Sequence, residues 1–219
     1  MAQCLFLHPW RNYLITNSMD NLSSRIEKVT PSLTLAVTNQ AKALQAQGEE
    51  IYGLAGGEPE IDTPDHIKEA CYLALKEGKT KYTPAAGIPE LREAISKKLL
   101  TDNNVAYDAK QVCVTSGGKQ ACFNAILAMV EEGDEVIIPS PYWVSYPEMV
   151  RLAGGEPVFV ETTQKSGWKM TAEQFEEAMT PRTKMVIINS PSNPTGAVYT
   201  EEELRAIGEV ALYEDIVIL

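Results

Sequence analysis

The stretch Asn189-Ser190-Pro191-Ser192-Asn193-Pro194-Thr195-Gly196 follows an apolar run, Lys184 to Ile188, and precedes a helix start at Thr200. It therefore gathers polar side chains and backbone bends at the carboxyl end of a buried strand, where open α/β sheets bind ligands. Taken alone, the same eight residues also read as a Pro- and Gly-rich turn.

Working outward, Val112–Thr115, Glu135–Pro139, Pro157–Val160, Lys184–Ile188 and Ile216–Leu219 read as strands. Helical patterns separate them, from about Gln120 to Val130, near Glu148, after Thr171 and after Thr200. Thr171 with Gln174, and Thr200 with Glu203, stand in capping-box relation. Continuous apolar strands alternating with helices predict an α/β fold whose parallel sheet is covered on both faces. Upstream, Leu33, Ala36, Val37, Ala41 and Leu44 share one helical face closed by Gly48. A short strand is predicted at Ile51–Leu54. Pro64 and Pro89 open two further helices, the first stopped by Gly78. The chain ends inside an apolar run and reads as C-terminally incomplete.

The 219 residues carry a formal charge of −11, with scattered Lys and Arg, which opposes binding to nucleic acid or to an anionic membrane. A hydrophobic fraction of 44% is that of a globular protein, and no apolar run is long enough to span a membrane. Cys4, Cys71, Cys113 and Cys122 form no CxxC pair and no metal spacing with His8 and His66, so no metal site is expected. They read as reduced, mostly buried thiols of a cytoplasmic protein. Residues 1–18 read as a disordered extension or a mis-assigned start ahead of Met19.

Ser116-Gly117-Gly118-Lys119 lies between a strand and a helix, where a tight turn and unpaired N–H groups form an anion cradle, or a simple turn. Ser140-Pro141-Tyr142-Trp143 places a Trp at another strand end, either to stack on a flat ring or to cover the sheet rim. Lys81-Tyr82 reads as a surface turn. No Ser/His/Asp triad can be assembled. A phosphate loop, a stacking Trp and an amide at one sheet edge suit a phosphorylated aromatic cofactor.

Together, Gly56-Gly57-Glu58-Pro59, Lys81-Tyr82-Thr83-Pro84, Ser116–Lys119, Ser140–Trp143 and Asn193–Gly196 resemble the class I pyridoxal-phosphate aminotransferases, and within them the aspartate or aspartate/prephenate subgroup. The resemblance covers residues 19–219. It implies a fold-type-I architecture, with 19–60 as the N-terminal segment of a small domain and 61–219 as an incomplete cofactor-binding large domain. It implies pyridoxal 5'-phosphate, an acidic amino acid and a 2-oxo acid as ligands, and a homodimer.

By the same resemblance, Gly117, Gly118 and Lys119 hold the phosphate, Trp143 stacks on the pyridine ring and Asn193 bonds its phenolic oxygen. Tyr82 reaches the phosphate of a neighbouring subunit. Gly57, Trp143 and Asn193 face the substrate, and Lys119 and Thr34 attend its distal carboxylate. Thr30 stands where the subgroup often has Lys. The family's Schiff-base Lys, its pyridine-nitrogen Asp and its carboxylate-binding Arg have no counterpart in residues 1–219, so no catalytic residue is assigned. The alternatives are a non-catalytic fragment that binds cofactor weakly or pairs with a full-length subunit, and a lyase of the same fold type, such as a carbon–sulfur lyase.

Overall fold

The computed structural model describes residues 23–219 except Ala55 and Glu58. The expectations for residues 1–18, Met19, Cys4 and His8, and the Glu58 of the Gly56–Pro59 motif, lie outside the described residues.

Helices α1 (Ser24–Glu27), α2 (Leu33–Ala46), α3 (Asp65–Lys76) and α4 (Pro89–Asn103) occupy the N-terminal part. Then follow α5 (Gly118–Met129), β1 (Glu135–Ser140), α6 (Ser145–Ala153), β2 (Glu156–Glu161), α7 (Ala172–Ala178), β3 (Thr183–Val186), α8 (Glu201–Tyr213) and β4 (Val217–Ile218). The strands form one sheet in the order β2-β1-β3-β4, and all three pairings are parallel.

The side-chain alternation of β1 sorts the core into two layers. Val136 and Ile138 pack with Ile126 of α5, with Val130 just after it, and with Met149 and Val150 of α6. Ile137 faces the other way, onto Phe175 of α7 and Ile207 of α8. Both faces of the sheet are thus covered, as the apolar runs predict. The two capping boxes form as read: the hydroxyls of Thr171 and Thr200 accept from the backbone N–H of Gln174 and Glu203. Pro64 caps α3 and Pro89 occupies the first turn of α4.

Two predicted strands are absent. Val112–Thr115 is extended but joins no ladder among the described residues. Its Val114 N–H donates to Ala86 O at 3.0 Å, and Val112 O accepts from Arg92 Nε at 2.9 Å. Ile51–Leu54 is likewise no strand, and its Ile51 carbonyl accepts from the Gln45 side chain at 2.9 Å. A strand exists only where a second chain segment offers its backbone, and a local apolar pattern carries no record of that partner.

The thiols also differ from expectation. Cys71 and Cys113 are exposed and Cys122 is half-buried. Cys71 lies on α3, which buries no residue, and Cys113 lies in the unpaired segment. Two short 3-10 turns, Ala109–Gln111 and Gln164–Ser166, were not legible as elements; each carries its own capping box.

Candidate functional site

In sequence β1 is followed by β2 on one side of it, whereas β3 lies on the other. The strand order therefore reverses between β1 and β3, and a crevice opens at their carboxyl ends. The loop after β1 brings Pro141 and Tyr142 to one bank. The loop after β3 brings Asn189 to Gly196 to the other. Between them lies a small cavity of about 20 Å³, bordered by Tyr142, Tyr146, Trp168, Asn189, Asn193 and Tyr199. The peptide bonds preceding Pro141, Pro191 and Pro194 are cis.

Two groups here are held by hydrogen bonds. Asn193 donates its backbone N–H to Asn189 Oδ1 at 2.7 Å. Tyr199 is buried, and its hydroxyl accepts from the Met170 N–H at 2.9 Å. Burial pushes the Tyr199 phenol above its usual pKa, so it stays neutral and able to donate.

Helix α5 runs antiparallel to the strands, since its C-terminus leads into β1, and this brings its N-terminus to the same sheet edge. Gly117 enters the helix with φ at +85°, a conformation that favours glycine. No side chain caps this end, so the first N–H groups remain available to an anion. A Cβ added at Gly117 or Gly118 would meet no heavy atom within 4 Å, so the space in front of the helix is open. The Ser116 N–H donates to Gln120 Oε1 at 2.6 Å and shapes the turn.

Lys119 Nζ sits 4.9 Å from the centre of the Trp143 ring, a cation–π distance. Trp143 in turn meets Tyr146 edge-on, with ring centroids 5.3 Å apart. The Tyr146 phenol is raised in pKa, first by burial and then by nearby Cys122. Lys119, Trp143, Tyr146 and the Asn193 crevice thus form one run of neighbours from α5 to β3. The run has backbone donors at one end, a flat ring in the middle and Asn193 at the other.

A larger cavity of about 810 Å³ opens beside this run. Val29 to Ser32 form one wall, Lys119, Gln120 and Phe123 of α5 another, and Glu148, Arg151 and Leu152 of α6 a third. Lys119 is the sequence-predicted site residue that lines it.

The structure therefore brings Gly117, Gly118, Lys119, Trp143 and Asn193 to one sheet edge. Of the predicted residues, Lys119 lines the larger cavity and Asn193 the smaller, while Gly117, Gly118, Trp143, Thr34, Gly57 and Tyr82 line neither. Thr34 is half-buried, its carbonyl accepting from the Thr38 hydroxyl at 2.8 Å, while Gly57 is exposed and Tyr82 fully so. Sequence reading missed Asn189, Tyr146, Trp168 and Tyr199. Asn189 stands four residues before Asn193 with a side chain suited to a local backbone bond, which was a usable signal. The other three enter through packing and left none. Among the described residues, no group of three or more His, Cys, Asp or Glu could hold a metal ion, and no helix is long and apolar enough to cross a membrane.

The model of the aminotransferase class I and II family matches residues 49–219. The chain belongs to that family. It is 52% identical over 198 residues to an aspartate aminotransferase of Geobacillus stearothermophilus, covering 90% of this chain and 50% of that protein. It is 54% identical over 191 residues to an aspartate/prephenate aminotransferase of Cereibacter sphaeroides, covering 87% and 48%. The solved aspartate aminotransferase of Thermus thermophilus with maleate superposes with a TM-score of 0.88 at 50% identity, over 90% of this chain and 52% of that one. The chain spans about half the length of the curated relatives it matches. An α/β architecture with a parallel sheet is thus what this aminotransferase family shares with the structure described above.

Proposed function

We propose that the chain serves transamination between an acidic amino acid and a 2-oxo acid through pyridoxal phosphate, within the family's dimer. The observation that carries this reading is the uncapped, open N-terminus of α5 joined through Lys119 and Trp143 to the Asn193 crevice. In it, the N–H groups at Gly118 and Lys119 take the phosphate. Trp143 covers one face of the ring, and the Asn193 amide donates to the phenolic oxygen. Lys119, which borders both Trp143 and the larger cavity, is the cation for a substrate's distal carboxylate. The dicarboxylate maleate in the Thermus relative accords with that assignment.

Bound pyridoxal phosphate supplies an electron-withdrawing ring that takes up the electron pair left when a substrate loses its α-proton. This chain's own residues hold that ring flat, neutralise its phosphate and keep its phenolic oxygen hydrogen-bonded. Thr34, Gly57 and Tyr82 join the site only on the family's plan, Thr34 and Gly57 toward substrate and Tyr82 toward a neighbouring subunit's phosphate. Residues 19–60 belong, on the same plan, to a small domain and 61–219 to the large one.

The lysine that bonds the cofactor covalently is proposed not to be among residues 1–219. Incubation of the 219-residue chain with pyridoxal phosphate and then borohydride, read by mass spectrometry, is expected to label no single lysine stoichiometrically. Stoichiometric labelling of one lysine together with turnover would overturn that statement. In a longer protein that contains this chain, aspartate and glutamate are the expected donors; activity confined to aromatic or branched donors would remove Lys119 from its assigned role.

A further inference from the structure

We infer that Asn189 is a positioning residue for Asn193, an inference that rests on the cofactor reading above. The sheet is hydrogen-bonded as far as the residue before it: the Ile187 N–H donates to Ile137 O and the Ile188 N–H to Leu219 O, both at 2.9 Å. Asn189 is thus the first residue beyond the rigid strand, and its half-buried side chain borders the crevice. From there Oδ1 reaches four residues on and accepts the Asn193 N–H at 2.7 Å.

The rest of the loop closes on itself. The Ser192 N–H donates to Ala197 O at 2.8 Å and the Gly196 N–H to Ser192 O at 2.7 Å. These bonds make the tip of the loop a unit, and the Tyr199 N–H donates to Ser190 Oγ at 3.1 Å to close the base of the loop. Asn193 is exposed and the next residue, Pro194, has no N–H to add. The Asn189 side chain is therefore the direct link from the end of the strand to the backbone of Asn193 itself.

The test uses the 219-residue chain with Asn189→Leu, which keeps the shape without an acceptor, Asn189→Asp, which keeps the acceptor, and Asn193→Ala. Hydrogen exchange at the Asn193 amide reports the link directly. The absorption band of bound pyridoxal phosphate reports the hydrogen bond to its phenolic oxygen. Asn189→Leu is expected to speed that exchange about tenfold and to weaken cofactor binding up to about tenfold, the size of one hydrogen bond. It should shift the band in the same direction as Asn193→Ala, and Asn189→Asp should restore both exchange and band position. Unchanged exchange in Asn189→Leu, or faster exchange with affinity and band unmoved, overturns the inference while leaving the cofactor reading intact. A wild-type chain with no affinity for pyridoxal phosphate defeats the cofactor reading instead, and amide exchange then decides alone whether Asn189 holds Asn193.

Discussion

Glu148 accepts the backbone N–H of Thr30 at 2.8 Å, joining two positions 118 apart in sequence. Its other oxygen accepts from Arg151 Nη1 at 2.6 Å, one helical turn along α6. The arginine holds the carboxylate in place, and the carboxylate ties the segment Val29–Ser32 over the larger cavity. Arg25 and Lys28, both exposed, lie just upstream of the tie. A hydrogen bond to a charged group contributes about 1.5–3 kcal/mol. Glu148→Ala should therefore speed tryptic cleavage after Arg25 and Lys28 by about tenfold or more. Glu148→Gln, which keeps an acceptor, should have a smaller effect. Equal cleavage rates in all three proteins would show that the tie does not hold the segment.

Glu135 opens β1 with its carboxylate buried, accepting the Thr180 hydroxyl at 2.6 Å and an Arg182 N–H. The Thr180 hydroxyl holds its pKa below the ordinary carboxylate value, Arg182 adds to that effect, and burial opposes it. A folded-state pKa below the unfolded one contributes stability that is present above the unfolded value and lost as pH falls through the folded one. Urea titrations should show Glu135→Gln to be less stable than wild type at pH 7, by roughly 1–3 kcal/mol for the lost charged hydrogen bonds. The gap should begin to narrow as pH falls below the unfolded-chain glutamate value of about 4.3 and close as pH falls through the lower folded value. A gap that stays constant with pH would rule out this linkage.

Gly87 has φ at +100°, and a Cβ built on it would lie 2.6 Å from Val114 Cγ2. Gly87→Ala combines backbone strain with overpacking and is expected to cost about 1–3 kcal/mol. It should also speed hydrogen exchange at the Val114 amide, which is bonded to Ala86 O. Gly208, inside α8, is the contrasting case: a Cβ there meets nothing within 4 Å. Gly208→Ala should stabilise the chain by about 0.4–1 kcal/mol. Thermal melts of the two variants shifting in the same direction would contradict the prediction.

Trp143 lies between Lys119 and Tyr146, and an aromatic pair contributes about 0.5–1.5 kcal/mol beyond area burial. Trp143→Leu should weaken pyridoxal phosphate binding by up to about tenfold, and Trp143→Phe should recover most of the loss. Inorganic phosphate should compete with the cofactor in either variant, because the α5 N-terminus remains. Equal affinities in the Leu and Phe variants would remove ring stacking from the account.

Much of this arrangement was legible before the fold. Thr171, Thr200, Pro64 and Pro89 announce helix starts because caps act within one turn, and the chemistry of a cap is local. The parallel sheet followed from strands too apolar to face water on either side. The Asn193 run was placed at a strand end by the same reading, and Gly117-Gly118 at a helix start. Val112–Thr115 and Ile51–Leu54 looked like strands for an equally local reason, and failed because no partner's backbone lines up with them among the described residues.

By itself, then, the sequence determined the layered α/β class, the helix starts, the family's motifs and their order along the chain. Tertiary structure alone decided that β1 and β3 would be neighbours with the reversal between them, which opens the crevice at Asn193. It also decided that Lys119 would rest on Trp143, and that Glu148 would take the N–H of Thr30. Capping and apolar periodicity depend on residues within a turn or two of one another. Strand order and cross-chain contacts depend on which distant surfaces bury each other best, and no single segment encodes that.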